Sequence, residues 1–145
     1  MDIDQAKIDI LNAKKIADLV MVSIHSGTEY TPFSNNKQIS FARSAIDAGA
    51  NLVFGHHPHV VQGYEHYKGK LIIYSLGNFI FDQAWSKETQ QGLATKLTFE
   101  GENLVTMNLI PLRIKNWCQP TPLESGTEYD EILRRINLGS EKLKP

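Results

Sequence analysis

Two short apolar runs each lead into histidine, and a helical pattern separates them. The first is Leu19-Val20-Met21-Val22-Ser23-Ile24, followed by His25. The second is Leu52-Val53-Phe54, followed by Gly55-His56-His57-Pro58-His59. Between them Ser34-Asn35-Asn36 offers caps for a helix through Ile39, Ala42, Ala45 and Ile46, with Gly49 as its stop. Upstream, Ile3, Ala6, Ile10, Ala13 and Ala17 form one apolar helical face. Asp2 followed by Gln5 resembles a capping box there, and Lys14-Lys15 suit the helix's C-terminal end. The order helix, strand, helix, strand calls for α/β architecture with parallel neighbours. Residues 19–24 are expected as a buried strand and 52–54 as a second short strand, side by side or nearly so, because such crossovers keep one hand. His25 and the 56–59 cluster then share the sheet's carboxyl edge, where open α/β sheets place their ligands.

The rest of the chain changes character. Leu71–Tyr74 reads as a third strand. Leu93, Thr95, Leu97 and Phe99 alternate with polar positions; Gly101-Glu102-Asn103 makes a turn, and Val105, Met107 and Leu109 alternate again, as in an antiparallel hairpin. Residues 115–128 are expected to be loop and Tyr129–Ile136 a short helix. The expected division is residues 1–114 as the main unit and 115–145 as a loop and terminal helix tail.

Composition narrows the function classes. With 145 residues, 41% hydrophobic and 21% charged, the chain can bury a core. A net charge of −1 gives no electrostatic case for nucleic acid or an anionic membrane as partner. The single cysteine, Cys118, excludes an internal disulfide framework and a cysteine-based zinc site, and no basic neighbour marks it as a nucleophile. No apolar run is long enough to span a bilayer. Met1-Asp2-Ile3-Asp4 leads straight into helical pattern, so no signal peptide is expected at this end.

Three of the five histidines lie within residues 56–59. Neutral imidazole is a common ligand for zinc, iron and manganese. Pro58 disfavours the helical conformation at His57 and is expected to make it extended, so that His57 and His59 face one centre. His56 then faces elsewhere or orients a ligand from behind. His25 could join from the neighbouring strand end. Glu29, four residues after His25, could orient an imidazole, ligate, or carry a proton. His66 reads as a surface residue in a turn-rich stretch. Trp85 and Trp117 read as packing residues, Arg43 as part of a polar helix face, and Arg134-Arg135 as a solvated face of the last helix.

Three segments resemble the bacterial capsule-synthesis CapA family, associated with poly-γ-glutamate capsule production. They are Val22-Ser23-Ile24-His25-Ser26-Gly27-Thr28-Glu29-Tyr30, Gly55-His56-His57-Pro58-His59-Val60-Val61-Gln62-Gly63, and Tyr74-Ser75-Leu76-Gly77-Asn78-Phe79-Ile80-Phe81-Asp82. The resemblance covers about residues 1–112. It implies the C-terminal part of a calcineurin-like metallophosphatase fold, a four-layer α/β/β/α sandwich. It also implies a divalent-metal site (manganese, iron or zinc) with His25, His57 and His59 as ligands, and His56 and Glu29 as catalytic groups. Asn78 and Asp82 would line the substrate pocket, although Gly77-Asn78 also reads as a turn and Asp82 as a solvated loop carboxylate. In metallophosphatases two metals roughly 3.5–4 Å apart clamp a phosphoryl group and activate water.

Departures from the superfamily are equally informative. His56 follows glycine as in its Gly-His-x-His motif, but Pro58 stands where the second histidine falls in that register. The Asp-x-His, Gly-Asp and Gly-Asn-His segments of its first half have no counterpart here, and Ser26 stands where this family commonly has tryptophan. The expectation is a C-terminal portion with an incomplete binuclear centre, exposed sheet edges and poor solubility. Three functions compete. One is a metallophosphoesterase-type hydrolase acting on a phosphoester or anionic polymer. Another is a non-catalytic polymer-binding or scaffolding component working with other capsule-synthesis subunits, at the extracytoplasmic side of the cell envelope if the chain is family-like and extended. A serine hydrolase is disfavoured, since Ser26 lies in no Gly-x-Ser-x-Gly pattern.

Overall fold

The computed structural model describes residues 2–144. The first helix, α1 (Ile3–Ala13), starts where Asp2 accepts hydrogen bonds from the Asp4 and Gln5 amides. Gln5 does not reciprocate. Its side chain donates to Asp9, so only half of the expected capping box forms. The second helix, α2 (Asn36–Asp47), has the complete box, with Asn35 and Gln38 each accepting from the other's backbone. Strands β1 (Met21–His25) and β2 (Leu52–His56) flank α2 and pair in parallel, with Met21 opposite Leu52 and His25 opposite His56.

Two further strands complete this sheet. Strand β4 (Lys70–Ile73) lies parallel to β2, and β3 (Tyr64–Tyr67) lies antiparallel to β4, in the order β1-β2-β4-β3. The stretch read as turn-rich is therefore a hairpin strand, and only Lys68-Gly69 at its tip turns. His66 is exposed, as expected. Strand β1 departs from the expected buried strand. Among the described residues it has one neighbour and lies at the sheet's edge, and of its residues only Ile24 is buried, while Met21 is 47% exposed.

The second sheet is the expected hairpin, lengthened. Strand β5 (Gln91–Glu100) pairs with β6 (Asn103–Lys115), and β6 with β7 (Gln119–Pro122). Strand β7 replaces part of the expected 115–128 loop. Its two prolines are tolerated because it lies at the sheet's edge. The last helix, α3 (Thr127–Glu141), is longer than expected and packs on β3 and β6.

This is a mixed α/β fold with helices on one side of the first sheet and the second sheet on the other. Helices α1 and α2 bury Ile10, Phe41, Ala42 and Ala45 against Ile24, Val53 and Ile72. From the opposite face, Leu52, Leu71 and Ile73 meet Leu97, Leu104 and Met107 of the second sheet. Helix α3 closes a third cluster, placing Ile132 and Ile136 on Val61 and Leu93. Arg135 was expected in solvent but is largely covered, donating to Gln91 and lying near Glu88. Arg43 grips Glu65 with two nitrogens at 3.0 and 2.7 Å, so the polar face of α2 is anchored to β3 while part of the Arg43 side chain stays in solvent. Among the described residues no helix is long and apolar enough to cross a membrane.

Gly55 decides how β2 can end. A Cβ there would run into the Tyr74 carbonyl oxygen, so only glycine lets the chain pass before the histidines. Gly55→Ala is expected to cost about 1–3 kcal/mol, in the manner of overpacking. Urea unfolding of the two proteins checks this, and an unchanged midpoint would mean that the strand can shift without loss.

Candidate metal centre

The β1–β2 register carries His25 and His56 to the same end of the first sheet. Backbone pairing continues one step further, with the Ser26 amide donating to the His56 carbonyl at 3.0 Å. Beyond it the chain does not stay extended. His57 has φ 99° and His59 φ 60°, so the extended conformation expected beside Pro58 does not occur. The chain folds back here because Val60, Val61 and Gln62 must re-enter the core, where each is buried. The Tyr30 amide donates to the Pro58 carbonyl at 2.8 Å and clips the bend to the loop after β1. Non-glycine residues at positive φ cost roughly 1–3 kcal/mol each and cluster at functional sites.

The bend brings together Glu29, His57 and His59, each offering one ligand atom, all within 4.8 Å of one another. Glu29 is exposed and the two histidines are half-buried. Glu29 Oε1 and His59 Nε2 face each other at 4.0 Å, beyond hydrogen-bond distance. His25 lies outside this trio: its Nε2 stands 3.2 Å from His57 Nδ1. The His56 and Phe54 rings stand perpendicular to each other, with centroids 5.7 Å apart. Burial lowers the pKa of His56, and the neighbouring His25 lowers it further.

Asn78 is buried, and it contacts His59 rather than lining an open pocket. Its Nδ2 donates to the Thr89 carbonyl at 2.9 Å and to Gln83 Oε1 at 3.1 Å. A carbonyl can only accept, which fixes the amide's orientation. Asn78 Oδ1 therefore faces His59 Nδ1 at 2.9 Å, and that nitrogen must carry the proton. In the neutral ring the lone pair is then on Nε2, the atom facing Glu29. Two lone-pair atoms confronting each other across a gap is an arrangement suited to a cation. Two imidazoles with one carboxylate is also a donor set that zinc, iron and manganese accept. Gly77, at φ 70°, makes the turn that delivers Asn78. Asp82 is exposed, and among the described residues its side chain makes no hydrogen bond to the histidines.

Sequence reasoning missed what holds this loop. Gln38 and Gln62 are both fully buried. Gln38 Nε2 donates to Gln62 Oε1 at 3.1 Å, and Gln62 Nε2 donates to the Thr31 and Phe33 carbonyls at 2.9 and 3.1 Å. The loop bearing Glu29 is thus fastened to the segment bearing the histidines. The Asn35-x-x-Gln38 pattern could have revealed Gln38's cap, but no periodicity marks its second bond. Also missed was an aromatic rim. Tyr30 stacks on His59 at 5.8 Å, Phe81 lies 5.4 Å from the same ring, and Trp85 meets Tyr30 edge-on. Trp85 and Trp117 are each 65% exposed, so neither is the packing residue expected.

Fold and site together define an α/β protein with a histidine–carboxylate group at the carboxyl edge of a largely parallel sheet. Residues 1–83 match the family described as bacterial capsule synthesis protein PGA_cap, and the chain belongs to that family. It is 35% identical over 126 residues to the capsule biosynthesis protein CapA of Bacillus anthracis, covering 87% of this chain and 30% of that protein. Against the PGA biosynthesis protein CapA of Bacillus subtilis it is 49% identical over 84 residues, covering 58% and 22%. A probable polyglutamine synthesis accessory protein of Mycobacterium tuberculosis is 26% identical over 147 residues, covering 93% and 39%. The chain thus spans well under half the length of these relatives.

If Asn78 sets the His59 tautomer, Asn78→Ala should weaken binding of manganese or zinc about 10- to 100-fold, the usual effect of losing such a partner. Isothermal titration with the metal reads this directly, and unchanged affinity would remove Asn78 from the site.

Proposed function

We propose that this chain is part of a capsule- or polyglutamate-synthesis accessory protein with a divalent-metal site of phosphoesterase type. The observation that supports it is the convergence of Glu29, His57 and His59 on one centre. His57 and His59 would hold the ion with Glu29 as the carboxylate ligand, Asn78 would orient His59, and His25 would support His57 from its far side. When bound, such an ion polarises a phosphoryl oxygen and lowers the pKa of a bound water. The chain's own part is to present fixed lone pairs and to limit water access along the Tyr30–Phe81 rim. His56 keeps its proposed proton-transfer role only by its place beside His57. The metal-bearing portion is residues 1–114, with 115–145 completing the second sheet and its helical cover. The substrate would be a phosphoester or an anionic polymer, and other synthesis components would be its partners.

A second reading rests on the single carboxylate in this donor set. A site so poor in bridging acids favours a domain that binds polymer or scaffolds other subunits without catalysis. Capsule restored to a deletion strain by the His25/His57/His59 triple alanine form, carried in the whole protein, would favour that reading over hydrolysis.

Elemental analysis after manganese or zinc loading tests the metal directly. The parent chain should retain metal and His57→Ala should lose it, whereas His66→Ala, altered at an exposed histidine of β3, should match the parent. Equal metal content in all three would refute the site.

A further inference from the structure

A second recess lies beside the histidine group. It measures about 520 Å³ and is lined by Phe81, Gln83, Gln90, Arg113, Lys115 and Trp117, among others. Two of its walls connect it to the candidate metal centre. The Phe81 ring lies 5.4 Å from that of His59, and Gln83 accepts the hydrogen bond from Asn78, the residue that orients His59.

Its electrostatics are one-sided. The lining contains two cations and no carboxylate. Arg113 is already engaged, donating to Glu128 at 2.9 Å and to Gln90 at 2.7 Å. Lys115 is exposed and has no ion-pair partner among the described residues. Beside it the β6–β7 turn is built in an unfavourable way. Asn116 has φ 49° and Trp117 φ 70°, so a bulky indole occupies backbone that favours glycine. The turn holds that indole in solvent, 65% exposed, on the lining it shares with Phe81, itself 44% exposed. Exposed aromatic side chains and an unpaired ammonium lining one recess suit a flexible chain bearing carboxylates: the rings can cover its methylenes and the ammonium can meet its acid groups.

We propose that this recess is a binding subsite for a carboxylate-bearing chain, with Lys115 and Trp117 as its specificity-determining residues and Phe81 as the wall shared with the metal centre. Its use in catalysis rests on the metal-site reading, since the chain would run from the recess toward Glu29, His57 and His59. Its capacity to bind does not.

The test uses metal-free 1–145 carrying Trp85→Phe, which leaves Trp117 as the only indole. Tetraglutamate should change its fluorescence saturably and less tightly as salt rises, while tetraglutamine should give no saturable change. Lys115→Glu should weaken tetraglutamate binding about tenfold or more, as expected for losing a charged hydrogen bond. Trp117→Gly, followed by calorimetry, should also bind less while its melting midpoint holds or rises, because glycine relieves the turn. That combination separates a ligand contact from a structural one. Equal binding of tetraglutamate and tetraglutamine, or undiminished binding by Lys115→Glu, overturns the proposal. His57→Ala keeps the two sites apart. If it loses metal yet binds tetraglutamate as the parent does, the recess stands independently. If the parent binds metal but not tetraglutamate, the recess is refuted and the metal site stands.

Discussion

The parallel pairing of β1 with β2, in the register that sets His25 opposite His56, is the constraint on which the site depends. Side chains alternate along a strand, so a slip of one residue would turn each histidine to the other face. What pins the register is burial. Ile24, Val53 and Ile72 must all meet α1 and α2, while Leu52 and Leu71 must meet the second sheet. The core therefore fixes which residues arrive at the carboxyl edge, and the bend at 57–59 begins from that fixed point.

From there the site is held by polar contacts rather than by apolar packing. Gln38 and Gln62 have no exposed surface, and their amides are used in both directions, so a change in either leaves a buried group unpaired. The backbone strain at His57 and His59 is sustained by these bonds and by the Tyr30 clip.

Much of this was legible in the residues. The helical faces of α1 and α2, the hairpin of β5 and β6, and the shared edge of His25 and the 56–59 cluster all follow from periodicity and order. The family segments point to the same place. What was not legible depended on contacts distant in sequence. Tyr64–Tyr67 carries turn-like composition but gains a strand partner in β4. Strand β1 has a buried strand's composition but lies at an edge. Pro58 excludes helix at His57 without choosing between extended and left-handed backbone, and the return of Val60 and Val61 to the core makes that choice. Glu29 was legible as a candidate but its grouping with His57 and His59 was not, because glutamines remote in sequence place its loop.

Asn78 has a consequence of a thermodynamic kind. It stands between His59 and Gln83, and Gln83 is part of the wall of the neighbouring recess. Under the proposed readings of the two sites, an occupant that shifts the Gln83 amide would change the free energy of holding the His59 proton on Nδ1. Linkage would then ask for the converse in equal measure, so an ion at His59 would alter the recess's affinity by the same factor. If both proposed sites are occupied, one buried amide would couple them without any movement of the sheet beneath.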